Sequence, residues 1–170
     1  SGTLRSHSAL FEIVDRFCGA EWQVTTAITQ YRGHASILAS QAADKGFDMI
    51  VCCGGDGTLN ETVTGMMCSE GKTIPLGYVP AGSTNDFAAT LGLSSDPKEA
   101  ASHIVTGRPL PLDIGKFGNT RYFSYIASFG AFTAASYSAP QELKNIVGHL
   151  AYLLEGVRDL SSLKPCHTVL

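Results

Sequence analysis

Leu10, Ile13, Val14 and Phe17 recur at the three- and four-residue spacing of a helix face, and Gly19 follows as a stop. Trp22, Val24, Thr26 and Ile28 then alternate with Gln23, Thr25, Ala27 and Thr29, which predicts a strand. An alanine-rich helix is expected from about Ala35 to Lys45, ended by Gly46. Asp48-Met49-Ile50-Val51-Cys52-Cys53 is a short apolar run of the kind that forms a strand buried on both faces. A glycine-rich turn follows, and Leu59, Val63, Met66 and Met67 share one helical stripe whose two methionines are expected in the core. Leu76-Gly77-Tyr78-Val79 reads as another strand, and a second turn at Pro80-Ala81-Gly82 opens a helix near Phe87. Pro97 to Val105 completes this part as a helix with proline in its first turn.

Strands and helices alternating at this spacing predict an α/β fold: a parallel sheet with helices on both faces. Ligands of such sheets sit outside the carboxyl ends of the strands, where both glycine turns fall. After Gly107 the pattern changes. Leu110–Phe117 and Arg121–Ser128 are strand-like runs separated by Gly118-Asn119-Thr120, a hairpin signal. The stretch 129–140 has no legible period, and Leu143, Ile146, Val147, Leu150, Leu153, Leu154, Val157 and Leu160 mark a long amphipathic helix. Residues 1–107 are therefore expected to form an α/β domain, and residues 108–170 the start of a β-rich second domain.

Composition narrows the function classes. The chain has 170 residues, 44% of them hydrophobic, enough for a packed core. Its net charge is −3 and its Lys and Arg are scattered, which argues against a nucleic-acid groove. The five cysteines form no C-x-x-C pair, and Cys52 and Cys53 are adjacent in an apolar run, which suits reduced thiols on opposite faces of a strand and a reducing cytoplasm. No histidine pair has zinc-ligand spacing. The sequence shows no secretory signal and no apolar run near the roughly 18 residues of a membrane span. Ser1-Gly2 does not look like a translation start, and Cys166–Leu170 reads as the opening of a strand, so the sequence reads as part of a longer protein.

The chemistry sits in two turns. The first is Gly54-Gly55-Asp56-Gly57-Thr58-Leu59-Asn60-Glu61. Glycines let a backbone approach a phosphate, and the start of the next helix points unpaired N–H groups at the anion. This leads to the expectation that Gly55→Val blocks a phosphate-bearing ligand by filling the approach path. Thr58 and Glu61 fit the S/T-x-x-E capping box, and Ser83 and Asp86 have the same spacing in the second turn, Gly82-Ser83-Thr84-Asn85-Asp86. For Glu61 capping alone is a sufficient role, with direct catalysis as its alternative; Ser83 and Thr84 read as caps, at least one of which also touches nucleotide. Asp56 is a carboxylate where phosphates would bind. It fits there beside Mg²⁺, or tied down by N–H groups of its own loop. Asp56, Asp86 and Asp113, all at segment ends, suggest a shared hydrated Mg²⁺; for Asp113 an ordinary hydrogen-bonded role is an equal reading.

Two common nucleotide motifs fail. Gly71-Lys72-Thr73 resembles the end of a Walker A loop, but five residues separate Gly65 from Gly71 where four are required. In G-x-G-x-x-G, Asn60 stands at the third glycine after Gly55 and Gly57. Gly54–Glu61 instead resembles the G-G-D-G-T-L-N-E signature of the diacylglycerol kinase catalytic-domain family, bacterial lipid kinases included. Ser1-Gly2 is similar to the end of that family's opening N-P-x-S-G segment, and Thr29 matches a nucleotide-contacting threonine after its second strand. Pro80–Phe87 resembles P-x-G-T-x-N-D-F with Ser83 in place of Thr, Leu112–Gly115 resembles x-D-I-G, and Lys144–Gly148 is also similar.

The resemblance implies transfer of the γ-phosphoryl of ATP, with Mg²⁺, to a lipid hydroxyl such as that of diacylglycerol, in phospholipid biosynthesis. It implies an NAD-kinase/diacylglycerol-kinase-like nucleotide domain followed by a β-sandwich-type domain, with the active site in the cleft between them. Nucleotide contacts are implied at Ser1, Gly2, Thr29, Gly54, Gly55, Asp56, Gly57, Thr58, Leu59, Asn60, Glu61 and Ser83, with Asp56, Asp86 and Asp113 as supporting acids. The family's catalytic base, an aspartate late in the second domain, is expected beyond Leu170. A cytoplasmic enzyme peripheral to the inner membrane face follows, and a homodimer is compatible with it. The Leu143–Leu160 stripe reads most simply as packing against sheet beyond these residues, with membrane contact as the alternative, and residues 1–170 alone are expected to self-associate through it. The alternatives are a NAD kinase, which shares G-G-D-G-T, and a non-catalytic nucleotide-binding module.

Overall fold

The computed structural model describes residues 7–71 and 73–126. The expected helix over Leu143–Leu160, the segment 129–140 and the site residues Ser1 and Gly2 lie outside them. The described elements run α1 (His7–Cys18), α2 (His34–Asp44), β1 (Ile50–Gly54), α3 (Asp56–Cys68), β2 (Leu76–Pro80), α4 (Asp86–Thr90), α5 (Pro97–Thr106), β3 (Gly115–Phe117) and β4 (Arg121–Phe123). β1 and β2 pair in parallel, with Ile50 opposite Leu76 and Gly54 opposite Pro80.

Alternation along these two strands builds a core on each face of the sheet. Val51, Cys53 and Val79 pack with Ile13 and Phe17 of α1 and with Ala100, Ala101 and Ile104 of α5. Cys52 and Tyr78 face the other way, toward Leu59 and Val63 of α3 and Phe87 and Ala88 of α4. Helices thus cover both faces, as the buried strand runs predicted. α2 crosses α3 at close range. A methyl built on Gly65 would lie 2.0 Å from Ser36 O, so only glycine admits this approach.

Burial pushes the thiol of Cys52 up to about 11 and that of Cys53 up to about 12, from an ordinary 9.0; a hydrogen bond with Thr62 partly offsets the first, and Cys52 adds to the second. Both acids bind their protons more tightly when folded, so their contribution to stability is complete below pH 9 and lost as pH rises toward 11–12. A thiol reagent at pH 8 is expected to modify the exposed Cys18 and Cys68 in the native state and to reach Cys52 and Cys53 only on unfolding; mass mapping of labelled peptides checks this.

Three expectations need correction. The alternating segment from Trp22 to Ile28 forms no strand: side chains 23–30 are exposed, Ile28 at 74%. Only Trp22 packs, its ring stacked on Phe17 at 5.2 Å and its N–H bonded to Phe17 O, so the end of α1 directs the chain there instead of a sheet edge. Alternation allows two faces, but a ladder partner is needed to make a strand. Met67, expected in the core, is 48% exposed, because α3 turns it away from the sheet. The hairpin forms at Gly118-Asn119-Thr120, with Gly118 at φ +65°, but each described strand is three residues long. It folds back on α3, where Thr64 Oγ1 donates to Tyr122 O at 3.4 Å.

Candidate functional site

The two glycine turns are one structure. Ala81 N–H donates to Gly54 O at 2.9 Å, carrying the strand pairing into the turns. Beyond it the backbones of Gly55 and Gly82 touch: a methyl on Gly82 would lie 2.5 Å from Gly55 Cα, and one on Gly55 would lie 3.1 Å from Gly82 Cα. Asn85 locks the second turn. Its Oδ1 accepts from Gly82 N–H at 2.9 Å and its Nδ2 donates to Gly82 O at 3.0 Å, while its own backbone is left-handed at φ +55°.

Asp56 joins the turns. Its Oδ2 accepts from Asp86 N–H at 3.1 Å and its Oδ1 from Phe87 N–H at 3.2 Å. The carboxylate is therefore tied down by N–H groups, but those of the neighbouring turn. It caps α4 across the gap while sitting in the first turn of α3, so both helix dipoles favour its charge. The capping boxes expected from spacing do not form. α3 begins three residues earlier, with Gly55 as N-cap and no side-chain cap, and Asn85 occupies the N-cap of α4. With the first turn so placed, the N–H groups of Asp56, Gly57 and Thr58 have no intrahelical acceptor.

Each expected site residue now has a place. Gly57 is exposed, and a methyl there meets no heavy atom within 4 Å, so this is where the backbone lies open to an anion. Gly54 packs against Thr58, and Gly55 against Gly82; these two shape the turn. The expectation that Gly55→Val acts by blocking a phosphate-bearing ligand is corrected accordingly, since the added side chain would first collide with the second turn. Leu59 is 1% exposed and its N–H bonds Gly55 O, so it anchors α3 in the core and has no free group for a ligand. Asn60 is half-buried. Glu61 reaches sideways: its Oε1 accepts from Gly33 N–H at 2.8 Å, fastening the segment that carries Thr29 to α3. Thr29, Ser83, Thr84, Asp86 and Asp113 are exposed. Among the described residues no three His, Cys, Asp or Glu side chains gather as metal ligands, so Asp56, Asp86 and Asp113 do not form a direct three-carboxylate cage. Asn85, which spacing did not single out, proves central to the turn; an asparagine two residues before an aromatic in a glycine turn was the available signal.

Gly57→Ala separates folding from binding. Alanine in place of glycine within a helix is expected to raise stability by about 0.5–1 kcal/mol. The same methyl intrudes where an anion would approach the backbone, and calorimetric titration with ATP is expected to show at least a severalfold weaker affinity.

The chain matches the diacylglycerol kinase catalytic domain family over residues 1–117. It is 40% identical over 157 residues to a diacylglycerol kinase of Bacillus subtilis (strain 168), covering 92% of this chain and 51% of that protein. It is 38% identical over 146 residues to a diacylglycerol kinase of Staphylococcus aureus (strain Newman), covering 85% and 45%. A crystal structure of a diacylglycerol kinase from Bacillus anthracis str. Sterne superposes with a TM-score of 0.70 at 29% identity, over 89% of this chain and 49% of that one. The chain thus spans about half the length of the curated relatives it matches.

Proposed function

Because the chain belongs to the diacylglycerol kinase catalytic domain family, we propose that it forms the ATP-binding part of a lipid kinase that transfers the γ-phosphoryl group of ATP to a lipid hydroxyl such as that of diacylglycerol. The observation that carries the reading is the paired turn, in which Asp56 ties α3 to α4 and leaves the open backbone at Gly57 facing outward. In this proposal the unpaired N–H groups of Asp56, Gly57 and Thr58 receive the phosphates, helped by the positive end of α3. Gly54 and Gly55 hold the turn's shape, and Asn60, Ser83 and Thr29 offer side chains toward the nucleotide, with Ser1 and Gly2 joining them by resemblance. Glu61 positions the Thr29 segment through Gly33.

Magnesium would be held mainly by the phosphates and water, where it neutralises the charge that develops on the transferred group. The described carboxylates provide no cage, so contact with Asp56, Asp86 or Asp113 would run through water. The two-part organisation stays in the proposal: a nucleotide domain over residues 1–107, and a β-sandwich-type second domain beginning at residue 108 and supplying the acceptor side and the catalytic base. The relatives named diacylglycerol kinase favour a lipid acceptor over NAD. No helix among the described residues is long and apolar enough to cross a membrane, and a cytoplasmic enzyme bound peripherally to the inner membrane face fits a lipid acceptor. Liposome sedimentation tests that association, and light scattering tests self-association.

The decisive assay offers the intact protein radiolabelled ATP with diacylglycerol, sphingosine, phosphatidylglycerol and NAD in parallel. Label in a lipid product supports the proposal; label in NAD alone, or in none, overturns it. Residues 1–170 by themselves are expected to bind Mg-ATP weakly yet transfer little, because transfer needs an aligned acceptor and a group to position its hydroxyl. A rate equal to that of the intact protein would place the base within these residues.

A further inference from the structure

Tyr31 and His34 stack in the turn that leads into α2, their rings 4.5 Å apart and 5° from parallel. The turn around them is fixed by hydrogen bonds. His34 Nδ1 accepts from Gln30 N–H at 3.1 Å, and His34 N–H donates to Tyr31 O at 3.2 Å. Gly33, left-handed at φ +88°, donates its N–H to Glu61 Oε1 at 2.8 Å and so fastens the turn to α3. His34 is half-buried, whereas Tyr31 is 58% exposed. With an imidazole against one face, a ring this exposed presents much of its other face to solvent. Its place relative to the glycine turns gives that face a use. Glu61 follows Gly57 by four residues on α3, so the two share a helix face and stand about 6 Å apart along the axis. The ring is therefore carried by a turn that meets α3 one helical turn beyond the backbone lying open to an anion at Gly57.

We propose that the open face of Tyr31 stacks on the purine ring of ATP whose phosphates lie at the start of α3. The inference rests on the nucleotide-binding reading and adds to it the residue that holds the base. The ribose and phosphates span the interval between the two places. A π-face is common to every base, so an aromatic ring binds it without reading its edge groups. The imidazole beneath keeps the phenol ring from swinging away, and Glu61, through Gly33, keeps the turn from drifting off α3. Little is then left to order when the nucleotide arrives, and a tyrosine has few torsions to lose. Tyr31 contributes affinity; it exchanges no proton with the transferred group.

Calorimetric titration of the intact protein tests it with two ligands, Mg-ATP and Mg-tripolyphosphate, the second carrying three phosphates and no base. The variants are Tyr31→Ala, Tyr31→Phe and Tyr31→Trp, with Tyr31→Gln in reserve should alanine loosen the fold. Thermal melting is read alongside, and a residue this exposed is expected to leave Tm nearly unchanged when truncated. Tyr31→Ala is expected to weaken Mg-ATP by about fivefold to a hundredfold, the range for losing one base–aromatic stack, and to leave Mg-tripolyphosphate as it was. Phenylalanine and tryptophan keep a ring and are expected to restore most of the loss. Unchanged Mg-ATP affinity in Tyr31→Ala overturns the proposal. An equal loss for both ligands overturns it too, because the ring would then be supporting the turn and not the base. A loss in Tyr31→Phe as large as in Tyr31→Ala does the same, since the ring would not be what binds. Wild type that binds neither ligand sinks the nucleotide reading itself, whereas wild type that binds both, with Tyr31→Ala unaffected, sinks only the stack.

Discussion

Asp56→Ala is expected to lower phosphoryl transfer by about a hundredfold or more and to destabilise the protein at the same time. Asp56 accepts two backbone N–H groups from the start of α4, so alanine strips that helix of its cap. Losing an N-cap costs about 0.5–2 kcal/mol. The larger effect is on function. Without the bridge α4 is free to shift against α3, and displacements near 1 Å in a transfer site cost about a hundredfold in rate. Asp56→Asn distinguishes the two effects. Its single carbonyl oxygen can still accept one N–H, so thermal melting should recover part of the stability, while activity stays low for want of the charge. Wild-type turnover in Asp56→Ala would remove Asp56 from the site.

Gly82→Val is expected to be the most destabilising single change in the turns. Its Cβ alone would lie 2.5 Å from Gly55 Cα and 2.7 Å from Asn85 Oδ1, and the first of these is backbone that cannot rotate away. Overpacking of this kind costs about 1–3 kcal/mol. Separating the turns also strains the Asn85–Gly82 pair of hydrogen bonds, which contribute about 1 kcal/mol each. A fall in Tm of roughly 5–10 °C is expected, with ATP affinity falling alongside it because Asp56 loses its hold on α4. Compared with Gly57→Ala, it separates glycines that shape the site from the one that leaves it open. If Gly82→Val melts with the wild type, the two turns do not press together as described.

Much of the fold was legible because burial imposes a period. The stripe of Ile13 and Phe17 on α1, the apolar run through Cys52 and Cys53, and Leu76–Val79 all became what their spacing predicted. The strand–turn–helix shape of Gly54–Thr58 was also legible, since a glycine turn between an apolar strand and a helical stripe limits what the backbone can do there. Side-chain partners were not. Thr58 and Glu61 have capping spacing, yet Glu61 reaches Gly33, because α2 lies beside α3 and offers a nearer N–H. Asp56 was expected beside a metal or bonded within its own loop, and its partners came from thirty residues further along the chain.

The sequence by itself determined that this chain makes a parallel sheet between helices and carries a glycine turn of the diacylglycerol kinase type. Hydrophobic period and backbone freedom are local properties, and neighbouring residues are enough to express them. The tertiary structure alone decided which glycine faces outward, which acid bridges two helices, and that residues 22–28 remain outside the described sheet. Each of these depends on which surfaces meet when β1 pairs with β2. The pairing brings Gly55 against Gly82, and of the turn glycines 54, 55, 57 and 82 only Gly57 would carry a methyl clear of every heavy atom within 4 Å.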